Sequence, residues 1–395
     1  MADHPLHPDI ELMSPDWYQG EPLEHYRWMR KNAPVYWDPK WEIWGVNLHE
    51  DVMHVSKTPE IFCSAKGSRP DSSVPSMINM DDPGHKRHRN LVNRGFTPKR
   101  LLEQEAKARE VCIELIEKVA PRGECEFVRD VAAPLPMVMI GDMLGVAPED
   151  RGKLLKWSDD FLRNPGSEDP ADQMALYEAS QGWAAYIAHI IEERRRDPGD
   201  DLISILVHAE VDGVGLTDEE INNEALLILI GGDETTRHVI TQGTEALIRH
   251  PGERQKLIDD PSKIKVAVEE MLRWVSPIKN MNRTATRDTE LRGQKIREGE
   301  RLILLYPSAN RDAAAFEDPD RFDVERTPNN HVAFGGYGTH HCLGSSLARM
   351  ELRVMFEELL KRLPDLELAR DDLPMRKSDF IVGIEEMPVR FTPRG

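Results

Sequence analysis

Apolar and polar positions alternate in two short stretches, Val35-Tyr36-Trp37 and Trp41 to Val46, on either side of Asp38-Pro39-Lys40. A period of two broken by Asp-Pro predicts a hairpin. From about Pro98 to Trp274 the spacing becomes helical. Between Lys99 and Val119, Leu102, Ala106, Val111 and Leu115 fall on one side and charges on the other. A second helix is predicted from about Asp169 to Arg196, ending before Asp197-Pro198-Gly199. Thr217-Asp218-Glu219-Glu220 has the form of a capping box. It opens a helix of roughly thirty residues that runs to Arg249-His250 before Pro251, far longer than the average. Strand signals return from Leu291 to Tyr306 and from Phe380 to Phe391, with an aperiodic coil from Pro307 to Gly338 between them. A coil of that length in a compact protein is usually functional. A last amphipathic helix carries Leu347, Met350, Leu352, Val354, Met355, Leu359 and Leu360. The chain therefore reads as mainly α with minor β.

Composition adds little to this picture but excludes several classes. The longest apolar run, Ala225 to Ile230, is far too short to cross a bilayer. The first residues lack the apolar core of a signal peptide, so a cytoplasmic protein is expected. A net charge of -19 argues against a nucleic-acid binder and for solubility. The 395 residues have room for two or three domains, but no linker, repeat or low-complexity segment divides them. One unit spanning 1–395 is expected.

Of the cysteines, Cys63, Cys112 and Cys125 read as packing residues, and none has zinc or disulfide spacing. Cys342 differs. It sits in Phe334-Gly-Gly-Tyr-Gly-Thr-His-His-Cys-Leu-Gly344 at the start of the last helix. Unpaired N–H groups there stabilise an anion, and glycines let backbone approach the sulfur. A thiolate so placed is a soft ligand for iron.

Three other constellations stand out. Gly231-Gly232-Asp233-Glu234-Thr235-Thr236 interrupts the long helix. Glycines there are costly, and the stretch reads either as a kink with a satisfied threonine or as a ligand seat with a proton relay. Glu270 and Arg273 share a helical face at i,i+3, as do His85 and Arg89 at i,i+4.

Taken with Gly338-x-His340-x-Cys342-x-Gly344, these motifs resemble the cytochrome P450 family. The resemblance implies a triangular prism with a long central helix over haem b (iron protoporphyrin IX), and Cys342 as the axial iron ligand. It implies contacts to the ring from Phe334, Gly335 and Gly344, and propionate contacts from His85, Arg89, Arg283 and His340. Glu234 and Thr235 match the acid–alcohol pair that delivers protons to dioxygen. Arg326 matches the third member of a structural triad with Glu270 and Arg273. One departure is clear: three residues, Gly335 to Tyr337, separate Phe334 from Gly338, where the family pattern has two.

The segments Leu226 to His238, Glu126 to Pro136, Ile140 to Val146 and Arg27 to Arg30 resemble actinobacterial P450s that oxidise the side chain of cholesterol and cholest-4-en-3-one. That resemblance implies terminal-methyl hydroxylation. It also implies a substrate pocket of Val74, Met77, Ile78, Leu227, Gly231, Ile278 and Ile381. A terpenoid or branched fatty-acid hydroxylase, and a non-catalytic haem sensor, are the alternatives. No Gly-x-Gly-x-x-Gly follows a strand. NAD(P)H-derived electrons are therefore expected from a ferredoxin and its reductase, docked on a basic patch of His341, Arg349 and Arg353.

Overall fold

The computed structural model describes residues 5–20, 22–70, 74–162, 169–211 and 213–394. Its helices that bear on the site are α1 (His49–Lys57), α2 (Gly84–Val92), α3 (Pro98–Val119), α4 (Pro134–Leu144), α5 (Arg151–Leu162), α6 (Pro170–Arg196), α7 (Asp218–Arg249), α8 (Ile264–Val275) and α9 (Ser345–Arg362). The central α7 is 32 residues long, which at 1.5 Å per residue spans about 48 Å. Its capping box forms as the sequence predicts: the Glu220 N–H donates to Thr217 Oγ1 (3.2 Å), and the Thr217 N–H donates to Glu220 Oε2 (2.8 Å). Pro251 lies two residues beyond its end and opens the next helix. Helices α3 and α9 pack along each other, and α4, α8 and α9 pack around α7. Gly232 makes the α4 contact possible, because a Cβ there would stand 2.5 Å from Ile140 Cδ1. The largest apolar core lies between these helices.

The sheet has five strands in the order β1 (Val35–Asp38), β2 (Ile43–Val46), β5 (Arg301–Leu305), β4 (Asn280–Ala285) and β3 (Phe62–Cys63). The predicted hairpin is β1–β2, paired Tyr36 to Gly45, and β5 joins β2 in parallel with Leu302 beside Trp44. β4 escapes the sequence reading because its inward positions are polar. Asn280 Nδ2 donates to Tyr18 Oη and the Asp379 carbonyl, and Asn282 Nδ2 to the Gly67 carbonyl. These bonds satisfy groups whose burial would otherwise be costly. The strand expected from Leu291 to Tyr306 divides into a small hairpin, Thr289–Leu291 with Gln294–Ile296, and then β5. The hairpin turns through Arg292 and Gly293, both at positive φ. Of Phe380 to Phe391 only Pro388–Arg390 is a strand. Among the described residues no helix is long and apolar enough to cross a membrane.

The coil before α9 is fastened by one buried carboxylate. Glu270 is fully buried and accepts from Arg273 (2.7 and 2.8 Å), Arg326 (3.0 Å), Asn329 (3.2 Å) and the Asp323 N–H (2.9 Å). The two guanidinium groups then donate to main-chain carbonyls. Arg273 reaches Asn310, Pro319 and Arg321, and Arg326 reaches Glu317, Asp318 and Arg321. A carboxylate with this many charge-assisted donors holds the coil in a single course.

Candidate active site

The coil leads to a cavity bounded by α2, α7, β4 and the Cys342 loop. Cys342 lies deep in the protein, and the surface it exposes opens onto that cavity. Burial pushes its thiol up. The Gly344 N–H, Arg89, Arg349 and the Ser345 N–H work in the opposite direction, favouring the thiolate. Its own N–H donates to the Phe334 carbonyl (2.9 Å). Arg89 donates to the carbonyls of Thr339 (3.2 Å) and His341 (2.5 Å), tying α2 to the loop.

The additional loop residue is absorbed on the outer side. Gly336 and Gly338 press on the end of α1, where a Cβ on Gly338 would stand 1.7 Å from the Ser56 carbonyl oxygen. Tyr337 takes a left-handed φ of 58°, stacks on His341 with centroids 5.4 Å apart, and donates to the His331 carbonyl (3.0 Å). Phe334 and Gly335 still line the cavity, as do Cys342 and Gly344.

His85, Arg89, Arg283 and His340 all reach the same cavity wall. The His85 and His340 rings stand 4.2 Å apart. Burial, then Arg283, His85 and Arg89, pushes His340 down to about 3, so the ring is neutral. Arg283 is buried and donates to the Asn282 carbonyl (2.7 Å). Among the described residues no carboxylate lies within ion-pair reach of Arg283 or Arg89. His85 Nε2 is buried without a partner. Unpaired buried cations are costly, so this rim fits an anionic group. The two propionates of a bound haem would supply that charge, with Cys342 beside them as a sulfur donor.

Along α7 the helical period sorts the glycine–acid–threonine stretch. Leu227, Gly231, Gly232, Thr235 and Thr236 line the cavity, with Thr235 Oγ1 donating to the Gly231 carbonyl (2.9 Å). Asp233 and Glu234 point elsewhere and are fully buried. Glu234 Oε2 accepts from Arg237 (2.6 Å) and Arg376 (2.7 Å), and both arginines also donate to Asp159 of α5 (3.1 and 3.2 Å). Burial alone would raise the Glu234 carboxyl, but Arg237, His238 and Arg376 hold it well below the usual carboxylate range. Asp233 is raised well above that range by burial and by the charge of Glu234. The expected acid and alcohol are thus neighbours in sequence on different faces of one helix.

Among the expected pocket residues, Met77, Ile78, Leu227, Gly231 and Ile278 line the cavity. Val74 does not; it is 43% exposed. Ile381 is buried behind the wall, bridged to Ile278. Sequence reasoning missed Phe96, Ile140, Val239, Leu272 and Met281, which converge from five separate segments, and Glu351 of α9. Burial and the charge of Asp233 push the Glu351 carboxyl up to about 8. Its only signal was a lone acid among the apolar positions of α9.

The expected basic patch is largely neutralised. Arg349 pairs with Glu269 (2.7 Å) and lies over Phe334, while Arg353 pairs with Glu105 (2.7 Å) and Glu357 (3.1 Å). Outside the cavity, His7, Asp9 and His25 come together. The Trp17 indole N–H donates to His25 Nδ1 (2.8 Å) and the Asp9 N–H to His7 Nδ1 (3.3 Å). Both rings therefore use those lone pairs within the protein.

Comparison with known proteins agrees with this geometry. The family model described as Cytochrome P450 matches residues 169–390. The chain is 49% identical to a steroid C26-monooxygenase of Mycolicibacterium smegmatis, over 98% of this chain and 97% of that one. It is 37% identical to a methyl-branched lipid omega-hydroxylase of Mycobacterium tuberculosis, over 97% of this chain and 95% of the relative. Among solved structures, a Mycobacterium marinum cytochrome P450 in complex with pseudoionone superposes with a TM-score of 0.90 at 33% identity, covering 99% of this chain and 100% of that one. A Bacillus megaterium P450 in complex with corticosterone superposes at 0.87 with 36% identity, covering 95% and 99%. Since the family model spans more than half of the chain and relatives match it almost end to end, the chain belongs to the cytochrome P450 family and is a monooxygenase that carries haem b.

Proposed function

We propose that this monooxygenase hydroxylates a terminal methyl carbon of a sterol side chain, in cholesterol or cholest-4-en-3-one, and continues towards the acid. The observation that carries the reading is 49% identity, over nearly the full length, to two steroid C26-monooxygenases. A cavity wall of Met77, Ile78, Leu227 and Ile278 suits an apolar ligand of this kind. The overall reaction is R–H + O2 + 2 electrons + 2 protons giving R–OH and water. Bound haem supplies the activation of dioxygen.

The protein's own part is positional and electrostatic. Cys342 Sγ would hold the haem iron, its charge supported by the Gly344 and Ser345 N–H groups and by Arg89. His85, Arg89, Arg283 and His340 would hold the haem propionates. Phe334, Gly335 and Gly344 shape the seat of the ring. Thr235 places its hydroxyl at the cavity wall, where it would pass on a proton once it leaves the Gly231 carbonyl. Glu234 serves it from behind the helix, once its carboxylate has released an arginine. Electrons come from NAD(P)H through a ferredoxin and its reductase.

A second reading, ω-hydroxylation of a methyl-branched lipid, is supported by relatives at 37% identity and by the same apolar wall. Optical titration of the ferric protein separates the two. A low-spin to high-spin change that saturates at micromolar cholest-4-en-3-one is the expected result. A change with a methyl-branched fatty acid and none with either sterol overturns the sterol reading.

A further inference from the structure

One buried carboxylate of α7 takes no part in the chemistry above. Glu224 is fully buried one helical turn before Leu227 and Ile228, on the face that lines the cavity, though it does not itself line it. Its Oε1 accepts from the Met77 backbone N–H (2.7 Å) and from His88 Nδ1 (2.9 Å). Its Oε2 has no partner among the described residues.

Both contacts lead to the cavity. Met77 opens a single helical turn, Met77–Asn79, and Met77 and Ile78 form part of the wall. The first N–H groups of any helical turn need acceptors. Ser76, in the capping position, supplies no side-chain bond, so the carboxylate of Glu224 acts in its place from another helix. His88 lies on α2 between His85 and Arg89, which face the cavity from the other side. A single carboxylate oxygen thus fixes three elements: the wall turn, α2 and α7. Around the rest of the turn, the bonds are local. Asn79 Oδ1 accepts from the Ser68 N–H (2.6 Å), and Asn79 Nδ2 donates to the Val74 carbonyl (2.8 Å). Among the described residues no other hydrogen bond ties the start of the turn to α7.

We propose that Glu224 is a positioning residue for regioselectivity: by holding the Met77 N–H against α7, it sets how far Met77 and Ile78 project into the cavity and so which side-chain carbon is presented for oxidation. A wall displaced by about 1 Å is enough to change the oriented geometry on which rate depends. The choice of substrate rests on the sterol reading; the positioning itself does not.

The test uses the full-length haem-loaded protein. Glu224→Met removes the acceptor while keeping volume, and Glu224→Gln keeps an oxygen that accepts from Met77. Glu220→Gln is the control, since Glu220 approaches the other nitrogen of His88 (3.4 Å) and not Met77. Hydrogen exchange at Met77–Asn79 should rise at least about tenfold in Glu224→Met, and stay near wild type in the other two. The ratio of terminal to non-terminal alcohol from cholest-4-en-3-one should fall about tenfold in Glu224→Met alone, a change of about 1.4 kcal/mol in relative barrier. If Glu224→Met fails to retain haem, Glu224→Ala takes its place. Unchanged exchange at the turn overturns the proposal. So does raised exchange with an unchanged product ratio. If the wild type oxidises no sterol, the sterol reading fails on that ground, and the ratio is read on a methyl-branched fatty acid instead.

Discussion

The Cys342 loop and the middle of α7 are built from similar material, glycines beside polar side chains, yet the fold treats them in opposite ways. In the loop, residues adjacent in sequence serve the same cavity: Phe334, Gly335, His340, His341, Cys342, Leu343 and Gly344 all line it. Coil backbone with glycine at positive φ turns as often as the site requires. In α7 each residue advances 100° around the axis, so Gly231 and Thr235 face the cavity while Glu234 faces a buried ion cluster. A loop concentrates a motif; a helix divides it. The loop, however, has few bonds of its own and depends on Glu270 and its arginines, whereas α7 is held by its internal ladder.

The largest way to break this comparison is at the loop's chemical centre. Cys342→Ser should abolish turnover and the red-shifted ferrous–CO band of a thiolate haem; survival of that band would refute the assignment. Next comes the loop's dependence on an outside anchor. Glu270→Gln leaves Arg273 and Arg326 short of a charge, and breaking a buried pair in this way costs about 3–5 kcal/mol. Urea unfolding should register that loss together with faster haem release.

The helix side is sharpened by contrasting its two faces. Thr235→Ala should slow productive turnover about 10²-fold, with NAD(P)H still consumed, and change stability by about 1 kcal/mol or less. Glu234→Gln, on the buried face, should also lower stability measurably. Equal stability losses in the two variants would mean that the faces are not separate.

How legible these regions were follows from the same geometry. The capping box, the Cys342 loop and the Glu270–Arg273 spacing are local patterns, and the structure forms the capping box and the Glu270–Arg273 pair as local units. The direction of Glu234 was not legible, because its partner Arg376 lies far along the chain and the pair forms only when α7 meets the C-terminal segment. For the same reason Phe96, Ile140 and Met281 were missed as cavity residues. Val74 was expected in the pocket from the resemblance, and the structure leaves it 43% exposed, away from the cavity lining. The basic patch failed as a free surface because Glu105 and Glu269, remote in sequence, arrive to neutralise Arg353 and Arg349.

The smallest expected effect concerns pH. Burial would raise the Glu269 carboxyl, but His331 and Arg349 hold it at about 2, against an ordinary value of 4.5. The folded state therefore binds fewer protons than the unfolded one between those values. The stability contributed by this group is full above pH 4.5 and is lost as pH falls through about 2. Glu269→Gln should flatten the acid limb of the stability curve in that window, measured by thermal unfolding from pH 5 downward. An unchanged limb would mean that the Arg349 contact adds nothing to the loop.

The clamp on the coil has a consequence for how freely its sequence can drift. Arg273 and Arg326 grip Asn310, Glu317, Asp318, Pro319 and Arg321 by their carbonyl oxygens, which every amino acid possesses. The side chains of Ala313, Ala314, Glu317 and Arg321 meanwhile face solvent. The course of the chain there is dictated largely by two arginines and one glutamate elsewhere, so its exposed positions are free to change, while buried Asn310, Asp312 and Phe316 keep side-chain contacts of their own. Ala313, Ala314, Glu317 and Arg321 are open ground for substitution or for a reporter dye, on a backbone held by the clamp.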